Sequence, residues 1–272
     1  MPILDTLCRS YQRLFRCSHP EEARLVELHS TGQTGQFLRE YFDHEYAKGA
    51  ESVARFAAVT EIPRGRALDF GCGAGGLTFR IAEACGEAVG IDIESERYQV
   101  EFAEARAREL GRGNVRFVCY GGGTPVPFDD ASFDCAFCVD VVEHLPTPEK
   151  FVSELFRVLK PGGKLLLSFG PPWRHAHGKH LWTKLPGWWT HLLFPRRVVM
   201  RVGGYPEAAT WEDLGMFRLT VGTFNRIMRR SGFERLYHDE KINSLLWPLK
   251  LVPWVRELFI AEVVGVYRKP AG

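Results

Sequence analysis

The glycine-rich segment ALDFGCGAGG at residues 67–76 limits the possible folds of this chain more than any other feature. It predicts a buried strand that carries an acid, Asp69, followed by a glycine turn and a helix that begins near Leu77. Glycine permits sharp turns and close approach of a ligand to the backbone. The start of the helix presents free N–H groups. The segment therefore indicates a strand–turn–helix unit of an α/β protein with a ligand beside the turn.

A second acid, Asp92, follows another apolar strand at residues 88–91. An acid at this position can accept hydrogen bonds from both ribose hydroxyls of a nucleoside, as in dinucleotide-binding folds. Gly71, Gly73 and Gly76 also fit the G-x-G-x-x-G spacing, although that spacing alone is a weak signal. Together these features predict an adenosine-binding site, and the alternative is a glycine turn that binds no ligand.

Asp69 favours one class of adenosine cofactor. A pyrophosphate binds at a helix N-terminus because the free N–H groups and the helix dipole attract negative charge. A carboxylate at the same place would repel a pyrophosphate but attract an ammonium or a sulfonium. The acid therefore predicts a positively charged cofactor with an amino-acid moiety, rather than NAD.

Three further motifs follow the glycine loop in a characteristic order. They are PFDDASFD at residues 127–134, VVEHL at 141–145 and ELFRVLKPGGKLLL at 154–167. With the loop, this succession resembles the class I S-adenosylmethionine-dependent methyltransferases, in particular the small-molecule methyltransferases, from about residue 66 to 169. The resemblance implies S-adenosylmethionine as the cofactor. It also implies a Rossmann-like, doubly wound, mostly parallel sheet whose last strand is antiparallel.

The resemblance also implies roles for residues of the cofactor site. Asp69, Gly71 and Gly73 match the positions that hold the methionine end of the cofactor. Asp92 matches the acid that holds the ribose, and Ile93 matches the residue that packs on adenine.

Three more residues complete the predicted cofactor site. Cys72 lies inside the glycine loop, where simple packing is the alternative role. The family often has an acid in the third loop that bonds adenine, whereas this chain has YGGGT at residues 120–124, so we expect backbone groups or the Thr124 hydroxyl to replace it. Asp140 ends the fourth strand, where parallel sheets bind ligands, and its alternative role is a helix cap.

The chain is predicted to have an N-terminal helical extension (1–60) and a methyltransferase domain (61–272), with an aromatic-rich lid-like insertion at 171–215. The apolar stripe of a helix over residues 2–16 is interpreted as packing on its own domain. The alternative is contact with a membrane surface. Tyr41 and Tyr46 either line the cofactor site or pack in the core.

Methyl transfer to a hydroxyl needs a group that accepts a proton, and histidine is the usual candidate. His180 in the insertion is the first choice, followed by His175 and His177. His144 follows the fourth strand, where a structural role is the alternative. No acid or cysteine near the three histidines of the insertion completes a metal site, so no metal is predicted.

The composition of the chain limits the classes of molecule that it is expected to bind. The chain has 272 residues with a net charge of +2 and no basic block, which argues against nucleic acid. We expect no signal peptide and a cytoplasmic location, and no pattern indicates an oligomeric state.

The tryptophans of the insertion suggest a small-molecule, glycan or lipid-linked acceptor, methylated most readily at oxygen. The alternatives are N- or C-methylation, a non-catalytic cofactor-binding or regulatory protein, and, least favoured, a dehydrogenase.

Overall fold

The structure is a computed structural model that describes residues 2–14, 20–123, 125–178, 187–242 and 252–271. Its centre is a seven-stranded sheet. The strands are β1 (Gly65–Phe70), β2 (Gly86–Ile93), β3 (Val115–Tyr120), β4 (Phe133–Val139), β5 (Leu159–Phe169), β6 (Glu234–Ile242) and β7 (Ile260–Arg268). They lie in the order β3-β2-β1-β4-β5-β7-β6. The strand β7 pairs antiparallel with both β5 and β6, and all other neighbouring strands pair in parallel. The predicted mostly parallel Rossmann-like sheet and its antiparallel last strand are confirmed.

Helices cover both faces of this sheet. They are α1 (Pro2–Leu14), α2 (Pro20–Ser30), α3 (Thr34–Ala57), α4 (Gly76–Cys85), α5 (Arg97–Glu109), α6 (Pro148–Val158), α7 (Thr190–Leu193), α8 (Arg196–Val202), α9 (Val221–Arg230) and α10 (Pro253–Arg256). One buried cluster joins α3, α4 and α5 to the sheet. A second cluster joins α6 and α9 to the opposite face. None of the described helices is both long and apolar enough to cross a bilayer.

The central strands are apolar on both faces because both faces are covered. Along β5, Leu166 packs in the cluster of α3–α5, while Leu165 and Leu167 pack in the cluster of α6 and α9. On β4, Cys135 and Cys138 point to opposite faces in the same way. Both are free and buried, as predicted for small apolar residues.

The helix α3 lies directly against the start of α4, above the glycine loop. A Cβ atom at Gly76 would lie 2.5 Å from both the Phe42 carbonyl oxygen and the Tyr46 backbone nitrogen. A Cβ atom at Gly49 would lie 3.1 Å from the Leu77 Cα. The two glycines therefore allow a close backbone approach that holds α3 over the loop.

Substituting Gly76→Ala should force α3 away from α4, because backbone atoms cannot yield as a flexible side chain can. We expect the free energy of unfolding to fall by about 1–3 kcal/mol, the usual range for overpacking a tight contact. Chemical denaturation measures this loss. Gly113→Ala is the control, because no neighbouring atom lies within 4 Å of its added Cβ. Equal stability of the two variants would show that α3 does not depend on this contact.

The N-terminal helix α1 packs on α8 rather than on the central sheet. Arg201 holds Asp5 through two hydrogen bonds, and the ring of Tyr11 lies 5.6 Å from that of Phe194. The side of α1 that faces inward carries Cys8, and most of the predicted apolar stripe faces outward. The interpretation that this stripe packs on its own domain was therefore wrong, because the Asp5–Arg201 pair sets the rotation of the helix.

Residues 171–215 lie between β5 and α9 and have a small core of their own. It contains Val199, Met200, Trp211 and Met216, with Trp173 packed against it. The assignment of these residues as an insertion stays a prediction. Its closure as a lid and the domain boundaries at residues 60 and 61 remain predictions.

Candidate cofactor and active site

Two cavities lie at the carboxyl ends of the central parallel strands. The adenosine-side cavity has a volume of about 370 Å³ and is lined by residues that include Asp92, Ile93, Tyr120 and Gly122. The acceptor-side cavity has a volume of about 520 Å³ and lies beneath α3, with a lining that includes Glu45, Lys48, Arg55 and Leu77. Both cavities share Gly71, Asp140 and Val141 in their linings. This is the edge of a parallel sheet at which ligands bind.

The glycine loop is fixed to the end of β2. The backbone N–H groups of Gly71 and Cys72 donate to the Ile91 carbonyl oxygen at 2.9 and 3.1 Å. Gly73 has a φ of +50°, and an added Cβ there would lie 3.0 Å from Glu45 Oε1. A side chain at Gly73 would therefore fill the space between the loop and α3. The predicted residues Gly71, Cys72 and Gly73 lie at the junction of the two cavities.

Asp92 faces the adenosine-side cavity from the end of β2. Its Oδ2 accepts a hydrogen bond from the Gly73 N–H, and its Oδ1 accepts one from the Ile93 N–H, both at 2.8 Å. A carboxylate oxygen can accept more than one hydrogen bond, so both oxygens can still bind ribose hydroxyls. Burial raises the pKa of Asp92. Ile93 lines the same cavity, where it can pack on a base.

Asp69 lies deeper than the resemblance implies. Its side chain is 1% exposed, and its Oδ2 accepts a hydrogen bond from the Thr78 hydroxyl at 2.6 Å. Burial, together with the nearby Asp92 carboxylate, raises the pKa of Asp69 to about 7. The described linings of both cavities leave Asp69 out. Asp69 can therefore contribute negative charge from beneath the loop, and its predicted contact with the methionine end stays a prediction.

Glu45 on α3 is a candidate for direct contact with a ligand, and no sequence motif indicated it. Burial, together with the nearby Asp69 and Asp92 carboxylates, raises its pKa to about 8. Its Oε2 atom is buried and has no hydrogen-bond partner among the described residues. The available signal was an acid on the same helix face as Phe42 and Gly49, which point to the core.

The residues at the loop fit the methionine end of S-adenosylmethionine. Gln99 Oε1 is a second buried acceptor without a described partner, and it lies 3.3 Å from the position of a Cβ on Gly73. Buried acceptors without donors destabilise a protein. An ammonium brings three donors and a positive charge. It would satisfy Glu45 and Gln99 and reduce repulsion among the three carboxylates.

Tyr120 is the candidate contact to adenine. Its hydroxyl is buried without a described partner, and burial raises its pKa to about 12. Thr124, which the sequence analysis proposed for this role, lies outside the described residues. Gly122 lies against Ile93, since its added Cβ would come within 3.4 Å of that side chain.

The substitution Tyr120→Phe should weaken S-adenosylmethionine binding about five- to tenfold, because one hydrogen bond contributes about 1 kcal/mol. Calorimetric titration measures this change. The variant Tyr237→Phe on β6 is the control, because it removes a tyrosine hydroxyl outside the adenosine-side cavity. Unchanged affinity of Tyr120→Phe would remove the hydroxyl from the adenine site.

The predicted catalytic histidines are dispersed. His144 Nδ1 lies 3.2 Å from the Gly215 carbonyl oxygen, and burial lowers the pKa of His144, which lines the adenosine-side cavity. His177 packs beside His175 and Trp188 in the insertion. His180 lies outside the described residues. The acceptor-side cavity instead contains His44, which the sequence analysis missed.

Several charged side chains line the acceptor-side cavity. Arg55 and Lys241 both pair with Glu262, at 2.5 and 3.2 Å, and Lys48 and Ser52 also line it. Asp140 lines both cavities. It adopts a left-handed conformation with a φ of +57°, which is uncommon for a non-glycine residue. Such backbone strain is often found at ligand sites.

Across the described residues, no three acidic, histidine or cysteine side chains are placed to hold a metal ion.

Comparisons with known proteins agree with this geometry. Residues 68–167 match the family described as methyltransferase domain. A 24-methylenesterol C-methyltransferase 2 of Oryza sativa subsp. japonica is 42% identical over 101 residues, which are 37% of this chain and 28% of that protein. A ubiquinone biosynthesis O-methyltransferase of Idiomarina loihiensis is 35% identical over 103 residues, 38% of this chain and 41% of that protein. The chain thus spans between a quarter and just over two fifths of the length of these relatives.

Solved structures share the fold over most of the chain. Geranyl diphosphate methyltransferase in complex with SAM has a TM-score of 0.56 at 17% identity, covering 81% of this chain and 85% of that one. The [4+2]-cyclase SpnF has a TM-score of 0.55 at 20% identity, covering 82% and 81%. The match over residues 68–167 and the sheet order together show a methyltransferase domain with the class I S-adenosylmethionine-dependent fold, whose cofactor is S-adenosylmethionine.

Proposed function

We propose that this protein transfers a methyl group from S-adenosylmethionine to a small-molecule acceptor, most readily at oxygen. One observation carries this proposal: three carboxyl groups, the buried Asp69 and the half-buried Glu45 and Asp92, lie around the glycine loop where two cavities meet. The group suits a ligand with positive charge and ribose hydroxyls. The shared lining at Gly71 and Asp140 suits a ligand that extends from one cavity into the other.

Different residues of the site would bind different parts of the cofactor. Asp92 would hold the ribose, Ile93 and Tyr120 would contact adenine, and Glu45 would accept hydrogen bonds from the ammonium. The cofactor supplies an activated methyl group on a sulfonium when it is bound. The helix α3 covers the loop and reduces the access of water to the methionine end.

The acceptor-side cavity would hold and orient the acceptor. Placing a nucleophile beside the methyl group is the main catalytic contribution that a protein can make to this reaction. His44 would accept the proton of an acceptor hydroxyl, because it lines the same cavity. Asp140 would orient the acceptor from the opposite side of the cavity, at the end of β4.

The lining favours a polar acceptor. Lys48, Arg55 and Lys241 bring positive charge, and Glu51 and Glu262 bring negative charge. Such a surface suits a hydroxylated or anionic molecule, such as a saccharide, better than a bare hydrocarbon. The tryptophans of the insertion give less support to this choice, because Trp173 packs on His191 and Trp211.

C-methylation is the second candidate function. The proteins similar to this chain include a sterol C-methyltransferase and a squalene methyltransferase, alongside the ubiquinone O-methyltransferase. Transfer to carbon needs no base for a hydroxyl. The variant His44→Ala separates the two functions, since it should lower kcat for a hydroxyl acceptor at least tenfold but leave transfer to an alkene carbon unchanged.

A substrate panel tests the proposal. The purified chain is incubated with S-adenosylmethionine and with saccharides, phenols, polyketide-like alcohols, alkenes, peptides or nucleic acids, and S-adenosylhomocysteine formation is measured. We expect turnover on at least one hydroxylated acceptor and none with Asp92→Ala. Turnover confined to peptides or nucleic acids would contradict the small-molecule assignment. Cofactor binding without turnover on any acceptor class would favour a non-transferring role, since a solved structure of this fold is named a cyclase.

A further inference from the structure

The helix α1 presents a row of large apolar side chains to solvent. Ile3 is 75% exposed, Leu7 is 53% exposed and Leu14 is 80% exposed. Their spacing places them on one side of a helix. Exposed apolar residues occur singly on most proteins, whereas a row on one helix face indicates an interaction surface.

The rotation of α1 keeps this row outside. Asp5 accepts two hydrogen bonds from Arg201 at 2.7 and 2.6 Å, and Cys8 and Gln12 on the same side are buried. A bidentate pair of this kind fixes orientation as well as distance. Turning the apolar row inward would break the pair and expose the residues that now pack on α8.

The neighbouring helix α7 extends the apolar surface. Leu192 and Leu193 on α7 are both exposed, and the next residue, Phe194, contacts Tyr11 of α1. The inner side of α1 also lies against the start of this segment, since a Cβ on Gly187 would lie 3.0 Å from the Gln12 Cα. We call this surface the outer apolar patch. It consists of Ile3, Leu4, Leu7, Leu14, Leu192 and Leu193.

Positive charge surrounds the outer apolar patch. The segments 2–14 and 187–202 contain five arginines and a single acid, Asp5. Arg201 pairs with that acid and with Glu207, which leaves the other four arginines, Arg9, Arg13, Arg196 and Arg197, in excess. An apolar face between basic residues is the pattern of a helix that lies in the plane of an anionic membrane surface.

We propose that the outer apolar patch docks on an anionic lipid surface. The apolar side chains enter the boundary between head groups and acyl chains, and the arginines contact lipid phosphates. A second copy of this chain is the less favoured occupant, because a symmetric contact would bring like-charged arginines together. The proposal depends only on the surface of α1 and α7 and is independent of the reaction at the two cavities.

Co-sedimentation of the full chain with vesicles tests this docking. The vesicles contain either 70% phosphatidylcholine with 30% phosphatidylglycerol or phosphatidylcholine alone. We expect binding to the anionic vesicles that weakens at high salt, and a more than tenfold loss for the double variant Leu7→Glu/Leu14→Glu. The matched control is Leu110→Glu/Leu236→Glu, whose leucines are 46% and 43% exposed elsewhere. Thermal unfolding and S-adenosylmethionine titration verify that each variant is folded.

Three outcomes would overturn the proposal. The first is an absence of binding of the wild-type chain to anionic vesicles at low salt. The second is equal binding by the double variant and the control. The third is a concentration-dependent dimer that forms without vesicles and is lost in Leu7→Glu/Leu14→Glu, which would assign the outer apolar patch to a second copy.

Discussion

The variant Asp92→Ala should bind S-adenosylmethionine at least 100-fold more weakly than the wild-type chain. The substitution removes a carboxylate that can accept two charge-assisted hydrogen bonds from the ribose, each contributing about 1.5–3 kcal/mol. It also removes the acceptor of the Gly73 and Ile93 N–H groups, which holds the loop and the end of β2 in place. Calorimetric titration with S-adenosylmethionine and S-adenosylhomocysteine measures the loss, which we expect for both ligands because both contain the ribose.

The control for this substitution is Glu101→Ala, which removes an exposed acid on α5. Asp92→Asn measures the contribution of the charge alone, since it keeps the size of the side chain and loses the charge. Thermal unfolding shows whether each variant is folded. If folded Asp92→Ala binds the cofactor as tightly as the wild type does, then Asp92 does not hold the ribose.

The variant Glu45→Gln should bind S-adenosylmethionine about 10- to 100-fold more weakly at pH 8.5, because it keeps the shape of Glu45 but loses the charge that attracts the ammonium. The pKa of Glu45 in the free protein is about 8. A bound cation favours the charged carboxylate, so binding releases a proton. The affinity of the wild type should therefore rise with pH, by up to about tenfold per unit for each proton released, and level off above pH 8.

Two measurements examine this linkage. Titrations at pH 6 and pH 8.5 give the slope, which should be shallower for Glu45→Gln. Titrations in two buffers of different ionisation enthalpy give the number of protons released. Glu51→Gln is the control, because Glu51 lines the same cavity from the same helix. An affinity that is independent of pH, with no proton release, would contradict the assigned role of Glu45.

The same carboxyl group should lower the stability of the free protein at neutral pH. Folding raises the pKa of Glu45 from 4.5 to about 8, so the folded state binds more protons than the unfolded state between these values. The free energy of unfolding should therefore fall as the pH rises from about 5 to 8. Glu45→Gln should be more stable than the wild type at pH 8 and should depend less on pH. Glu45→Gln would thus gain stability and lose affinity for S-adenosylmethionine, as expected where a buried charged group is needed for binding.

The framework of the fold was predictable because short patterns determine it. Continuous apolar strands, a glycine turn and Pro148 at the start of α6 each specify local structure, and all are present. The rotation of α1 was not predictable. The apolar stripe on residues 2–16 favoured inward packing, but the Asp5–Arg201 pair joins residues that are distant in the chain. A single sequence gives no sign of such a pair.

The cofactor site was predictable only where the chain forms it locally. Gly71, Gly73 and Asp92 lie on adjacent strand ends, and the sheet brings them together as expected. Glu45 and His44 belong to α3, which reaches the site by crossing α4 through a close approach at Gly76. The histidines of the insertion were favoured because they belong to the predicted lid, and His177 packs beside Trp188 within that insertion. We expected Asp69 to hold the methionine end of the cofactor, and that role stays a prediction. The side chain of Asp69 lies deep in the protein because β1 is buried on both faces.

The most direct test of the proposed site is a calorimetric titration of the wild-type chain at pH 8.5 with S-adenosylmethionine, with NAD as the control. We expect one bound S-adenosylmethionine per chain with an affinity in the micromolar range or tighter, and no binding of NAD. A folded chain that binds NAD, or that binds neither ligand, would contradict the assignment of the two cavities and of Glu45, Asp69 and Asp92.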